Sequence, residues 1–202
     1  MQRTRRLLHK ALMSCILEKK YESITVQEVL DRADVGRSTF YMHFRDKDEL
    51  LVSGFGELQS LLTSAQAASA VLPGKSYERV IGFSLAMFEH ANEYRRVNSA
   101  LFGSSAEAIV RRQIHSVLAG LVGKEVEMEF RRRRRANRAV SPELLSYFLV
   151  STYISVMSWW LKAKNPVPPK EIDAAYRHLV LPCLASTFDD PQDWDRRKFP
   201  VR

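Results

Sequence analysis

Cysteine is scarce: Cys15 and Cys183 are the only two in 202 residues, far apart and each set in an apolar helical pattern. Their separation and apolar setting favour two buried free thiols over a disulfide framework or a cysteine-based metal site. An export-type start is also lacking. The opening MQRTRRLLHKALMS is basic, but His9 and Lys10 interrupt the apolar residues that a secretory core would need. A reducing cytoplasm is the expected location. Catalytic spacing is missing as well: His90, His115, His178, Glu107 and Tyr153 are available for chemistry but form no nucleophile, metal or acid-base pattern. An enzyme is not expected, and no metal or organic cofactor is implied. A helical enzyme or carrier stands as a remote alternative, which turnover of a small metabolite would revive.

What is present is enough apolar material, 46% of the residues, to pack a core in one large or two small domains. The net charge of +8 favours an anionic partner, yet the first fifty residues hold ten Lys/Arg against eight Asp/Glu. Much of the remaining excess comes from Arg131 to Arg135 plus Arg138. That run has two readings: a solvated helix end, where cations meet the negative pole of the helix dipole, or a contact for nucleic acid or a phosphate-bearing ligand.

The stretch from Thr25 to Phe44, TVQEVLDRADVGRSTFYMHF, organises the rest. Thr25 stands three residues before Glu28, the spacing of a capping box, so a helix starts there. Val26, Val29, Leu30 and Ala33 recur at helical spacing and give it one apolar stripe. Asp34, Val35 and Gly36 then break the pattern. Asp tolerates a left-handed backbone, Val35 can plug the core, and Gly36 is an acceptable N-cap for a second helix. On a wheel of about 100° per residue, Phe40 and Phe44 fall on one side and Ser38 and Met42 almost opposite. The phenylalanines anchor; the outward pair is offered to base edges. Arg37, Thr39, Tyr41 and His43 lie on the flanks, where they can reach phosphate oxygens, and Thr25 joins them. Asp46 restarts a helix with Lys47 in its first turn, a second expected phosphate contact. Two short helices so arranged have the layout of a helix-turn-helix DNA reader.

In these blocks, Thr25 to Glu28, Ala33 to Val35, Ser38 to Phe44 and Lys47 to Leu50, the sequence resembles the TetR family of bacterial transcriptional regulators. The likeness covers about a quarter of the chain. Two positions depart from the family pattern: Asp34 stands where Gly is usual, and Gly36 where Ser often caps. The resemblance implies an all-α fold with a three-helix DNA-binding domain over residues 1–48, a helical regulatory and dimerisation domain over 49–188, and a small-molecule effector that releases DNA.

In chain order, the first helix is expected from Thr4 to Lys19, with Leu8, Leu12, Cys15 and Ile16 inward and Arg3, Arg5 and Arg6 at its start. From Asp46 a long helix to about Ala70 should bury Leu50, Leu51, Phe55, Leu58, Leu61 and Leu62. Leu72-Pro73-Gly74 marks a turn. A helix from Ser76 to Val97 follows, with Val80, Phe83, Met87, Phe88 and Ala91 inside, then a loop at 98–104 and one or two helices over 105–135. Ser141-Pro142-Glu143 is a helix start. Leu144 to Leu161 is free of charge and long enough for a membrane span, but its stripe of Ser151, Ser155 and Ser158 suits close helix packing, so it reads as buried in the body and at a subunit interface, with no membrane. The last helix should turn Ile172, Ala175, Tyr176, Leu179, Val180 and Cys183 inward, with Pro182 kinking its end. Trp160, Leu161, Pro166, Pro169 and Glu171 also resemble the C-terminal region of dihydroxyacetone-kinase-type TetR regulators. Residues 189–202 read as an extended or disordered tail.

Three functions compete on this reading. The first is a ligand-responsive repressor that binds a palindromic operator on double-stranded DNA as a homodimer through its last two helices. The second is a ligand-independent or activating DNA-binding regulator with a protein partner; the third is the enzyme or carrier above. Candidate pocket residues, chosen by type and place, are Met87, Phe102, His115, Tyr153 and Met157.

Overall fold

Apolar residues at i, i+4, i+7 and i+8 make the first helix amphipathic, and the computed structural model, which describes residues 2–69, 74–133 and 140–188, buries all four of Leu8, Leu12, Cys15 and Ile16. The helices are α1 (Gln2–Glu18), α2 (Val26–Ala33), α3 (Arg37–Tyr41), α4 (Lys47–Ser53), α5 (Phe55–Ser69), α6 (Ser84–Glu93), α7 (Arg95–Leu101), α8 (Ser105–Arg132), α9 (Pro142–Lys162) and α10 (Pro169–Phe188). Two 3-10 turns, Tyr21–Ser23 and Ser76–Ile81, complete the regular structure, and no strand occurs among the described residues. The chain is all-α.

Packing groups it into two compact units. The first comprises the residues up to Ser60 with His90–Ser116; the second is Leu61–Glu89 with Val117 onward. In the first unit Val29, Leu30, Phe40, Phe44, Leu50 and Leu51 close over the inner face of α1, and Leu101 and Ala106 belong to the same core. Burial of each such Leu or Phe is worth roughly 1.5–3 kcal/mol. Lys19 pairs with Glu28, and Arg32 grips Glu18 through two bonds of 2.7 and 2.6 Å, tying α1 to α2.

The second unit is built on aromatic rings. Phe88 lies 4.9 Å from Tyr153 and 5.5 Å from Trp160, and Tyr153 lies 5.0 Å from Tyr176, each a tilted or edge-on contact. Buried Asp173 accepts from Ser84 Oγ and from Arg177 Nε, while Tyr153 Oη donates to the Ser84 carbonyl at 2.9 Å, so the polar atoms among the rings are matched. Arg131 pairs with Glu127, and Arg132 and Arg133 with buried Glu129; Arg134, Arg135 and Arg138 lie outside the described residues, as do Leu72, Pro73 and the 189–202 tail. Both cysteines are free, Cys15 buried and Cys183 partly so.

Several expected elements are shorter or rotated. The helix from Asp46 is interrupted at Gly54, where a Cβ would meet His9 Nε2 at 2.3 Å, so that a larger residue there would have to displace the His9 ring. Past this break Leu61 is exposed and Phe55 half-buried rather than inward. The expected Ser76–Val97 helix is a 3-10 turn, α6 and the start of α7, broken near Gly82 and Tyr94, although all five of its apolar anchors are buried. The loop expected at 98–104 is mostly helix, since α7 runs to Leu101. In α10 the inward row is Ile172, Asp173, Tyr176, Val180 and Leu184, with Thr187 and Phe188. Leu179 faces out at 68% exposure and Ala175 is exposed, while Asp173 on the inward row meets Ser84.

Candidate nucleic-acid interface

The reader is held at every joint by its own sequence. Thr25 Oγ1 accepts the Glu28 N–H, and the Glu28 carboxylate accepts the Thr25 N–H at 2.8 Å, closing the expected capping box at the start of α2. Hydrogen bonds from Lys19 and Thr25 hold the Glu28 carboxyl down at about 2. Asp34 ends α2 in the left-handed region (φ 52°, ψ 51°), the one non-glycine residue with positive φ among those described. Gly36 caps α3 with an extended backbone and no side-chain bond. The regular span of α3 closes at Tyr41, but the Met42 N–H still bonds the Ser38 carbonyl, and the Phe44 N–H that of Phe40, carrying the helical phase onward.

That phase sorts the side chains. Phe40 is fully buried and Phe44 nearly so, their ring centres 5.7 Å apart. Opposite them Met42 is 73% exposed and Ser38 is exposed. Arg37 and Tyr41 are exposed on the flanks, Thr39 and His43 half-buried, and Thr25 exposed at the start of α2. The Tyr41 ring sits edge-on to Phe40 at 5.2 Å. At the start of α1 Arg5 covers the Phe44 ring at 5.6 Å. One helix thus presents a hydroxyl, a thioether, a phenol and a guanidinium on a rigid apolar footing, a surface able to donate to phosphates and contact base edges.

Lys47 stands differently from the expectation. Its ammonium turns inward, donating to the carbonyls of Tyr21 at 2.7 Å and Ile24 at 2.8 Å, and lies 4.6 Å from the Tyr21 ring centre. The Glu22 carbonyl, at 3.4 Å, is the third acceptor that the turn before α2 offers this ammonium, and Asp48 accepts a hydrogen bond from the Tyr21 hydroxyl at 2.6 Å. The Tyr21 hydroxyl is pushed well above the usual phenol range by burial and by this carboxylate.

Sequence reasoning missed Tyr21 and Glu22. The Glu22 carboxylate accepts the N–H of Ser105 at 2.6 Å, a partner 83 residues away that no local pattern signals. The pocket candidates fall in both units. Met87, Tyr153 and Met157 are buried in the second unit; Phe102, half-buried, and His115, exposed, belong to the first. Of the chemistry-bearing residues, His90 lies against the Tyr94 ring, Glu107 accepts the Gly103 N–H, and His178 is exposed.

Known proteins share this arrangement. Residues 8–53 match the family model described as bacterial regulatory proteins of the TetR family, and residues 78–180 match one for a transcriptional regulator C-terminal region. YxbF of Bacillus subtilis, an uncharacterised HTH-type transcriptional regulator, is 40% identical over 50 residues, which span 24% of this chain and 13% of that relative. The structure of a candidate TetR-family regulator from Syntrophomonas wolfei superposes with a TM-score of 0.74 at 15% identity, covering 91% of this chain and 96% of that one. The dihydroxyacetone kinase operon activator DhaS gives a TM-score of 0.65 at 15% identity over 92% and 98% of the two chains, a likeness of fold. With both regions matched in order, the chain belongs to the TetR family of DNA-binding transcriptional regulators.

Proposed function

We propose that the protein is a ligand-responsive repressor that acts in the cytoplasm, binding a palindromic operator as a homodimer. The observation carrying this reading is the sorting of α3, with Phe40 and Phe44 buried while Ser38 and Met42 stand free. On it, Ser38 and Met42 contact base edges in a major groove, and Thr25, Arg37, Thr39, Tyr41 and His43 contact phosphates on its walls. Lys47 serves this surface from behind, by holding the turn that precedes α2.

The outer faces of the last two helices support dimerisation. Leu144, Tyr147 and Trp159 on α9 and Leu179 on α10 are each 57–68% exposed, an excess of large apolar side chains that a second copy would cover. Two-fold pairing puts two copies of α3 in successive grooves, roughly 34–36 Å apart, and so requires an inverted-repeat operator. The effector enters the aromatic core of the second unit, where Met87, Tyr153 and Met157 are the expected contacts. It shifts the population only if it binds the DNA-free state more tightly than the DNA-bound state. Whether the bound protein represses follows from the position of the operator relative to its promoter.

The test is a titration of the protein on its own upstream DNA at several salt concentrations, paired with a thermal-shift screen of metabolites. Sequence-preferring binding with a steep salt slope, weakened by the same compound that raises the melting temperature, is expected. Binding that does not distinguish this DNA from a random duplex would defeat the reading.

A further inference from the structure

The turn Tyr21–Ser23 stands between α1 and the Thr25 cap, so its position sets that of the two reading helices. It is held from two directions within the first unit. From α4, Lys47 takes the Tyr21 and Ile24 carbonyls, and Asp48 takes the Tyr21 hydroxyl. From α8 comes Ser105, whose N–H is donated to the Glu22 carboxylate at 2.6 Å, with its side chain also hydrogen-bonded to that carboxylate. The first N–H groups of a helix have no partner inside it, and a negative charge there meets the positive end of the helix dipole. Here the carboxylate that satisfies one of them arrives from the reader. Leu101 and Ala106 lie buried in the reader's core, with Val97 and Val110 packed against it, so the start of α8 is seated on the reader by apolar contact and tied to it by Glu22. The bond from Ser105 also holds the Glu22 carboxyl below the usual range, so it is charged at neutral pH.

We infer that Glu22 is a positioning residue for DNA reading: by accepting the Ser105 N–H it locks the turn before α2 to the start of α8, and displacement of α8 is carried through it to the DNA-facing side of α3. The inference rests on the base-reading role of α3 given above. Without the lock, α2 and α3 sample more orientations and the fraction poised for DNA falls, which weakens apparent affinity by that fraction.

The experiment uses the full chain and a duplex enriched by the wild type from a random pool. Glu22→Gln keeps an acceptor for the Ser105 N–H, whereas Glu22→Ala removes it, and the two variants carry the same net charge. Glu22→Gln should bind within two-fold of wild type and Glu22→Ala at least five-fold more weakly, at 25 °C with circular dichroism showing both folded. Adding duplex should also move the Ser105 amide NMR signal in wild type and in Glu22→Gln but not in Glu22→Ala, since coupling between two sites is reciprocal. A purely structural cap would lower the melting temperature of Glu22→Ala and leave the affinity of the folded protein and the DNA response of Ser105 unchanged, which would overturn the inference. Equal loss in both variants would assign the effect to charge and also overturn it. A wild type that enriches no duplex defeats the DNA reading itself and takes the positioning role with it; tight wild-type binding with an unaffected Glu22→Ala removes only the latter.

Discussion

Phe40 and Met42 are two residues apart and occupy opposite environments, the first fully buried and the second 73% exposed. Phe40→Ala should therefore cost about 3–5 kcal/mol in urea unfolding, the range for deleting a buried phenyl ring. Met42→Ala should leave stability within about 0.5 kcal/mol and change DNA preference instead. Asp34 gives a second test at this scale. At its positive φ a β-branched side chain is strained, so Asp34→Val should cost about 1–2 kcal/mol, whereas Asp34→Gly should cost nothing. Lys47 gives a third: Lys47→Met removes the side-chain donor to the Ile24 carbonyl and one of the two donors to the Tyr21 carbonyl, and should lower unfolding stability by about 1–3 kcal/mol, with the duplex absent. The capping box at Thr25, the left-handed Asp34 and the opposition of Phe40 to Met42 were legible in sequence, because each is set by residues within one or two helical turns. The inward course of Lys47 was not, since its acceptors are backbone carbonyls that lie 26 and 23 residues back and carry no sequence signature.

At the scale of elements, α1 and α2 are joined across their exposed edge by the Lys19–Glu28 and Arg32–Glu18 pairs. Both carboxyls are depressed in the folded protein, Glu28 to about 2 from an ordinary 4.5 by the bonds from Lys19 and Thr25, and Glu18 by the bond from Arg32. A depressed carboxyl contributes stability that is present above its unfolded value and lost as pH falls through its folded one. The melting temperature should thus hold steady from pH 7 to about 5 and decline from about 4.5 toward 2, with a flatter decline in Glu28→Gln. Because both groups are solvent-exposed, the decline should also shrink in molar salt. Thermal melts followed by circular dichroism against pH, at two salt concentrations, check both statements. Apolar spacing located most helices but did not give their ends or phase. The helix expected from Asp46 breaks at Gly54, which packs against His9 from far earlier in sequence, and α10 turns buried Asp173 toward Ser84 while Leu179 faces outward against its local pattern. Periodicity records which residues are apolar, and a partner elsewhere in the chain decides which of them face the core.

For the whole molecule, the exposed Trp159 and Leu179 predict association. Trp159→Glu or Leu179→Glu should shift sedimentation equilibrium to the monomer while leaving the helical signal intact, since neither side chain is part of the core. The same variants should weaken operator binding, because two half-sites are no longer engaged together. The fold class and the reader were legible over a quarter of the chain; contacts for an effector were not, because Met87, Tyr153 and Met157 are residue types that any core would contain and the structure buries them as core. The central claim is that the free side of α3 chooses DNA sequence. In vitro selection from a random duplex pool, run in parallel with wild type and with Ser38→Ala/Met42→Ala, tests it most directly. Convergence of the wild type on an inverted repeat with half-site centres about one helical turn, or whole turns, apart, and loss of base preference within those half-sites in the double variant, is the predicted result. A wild-type pool that never converges, or the same consensus from both proteins, would contradict it.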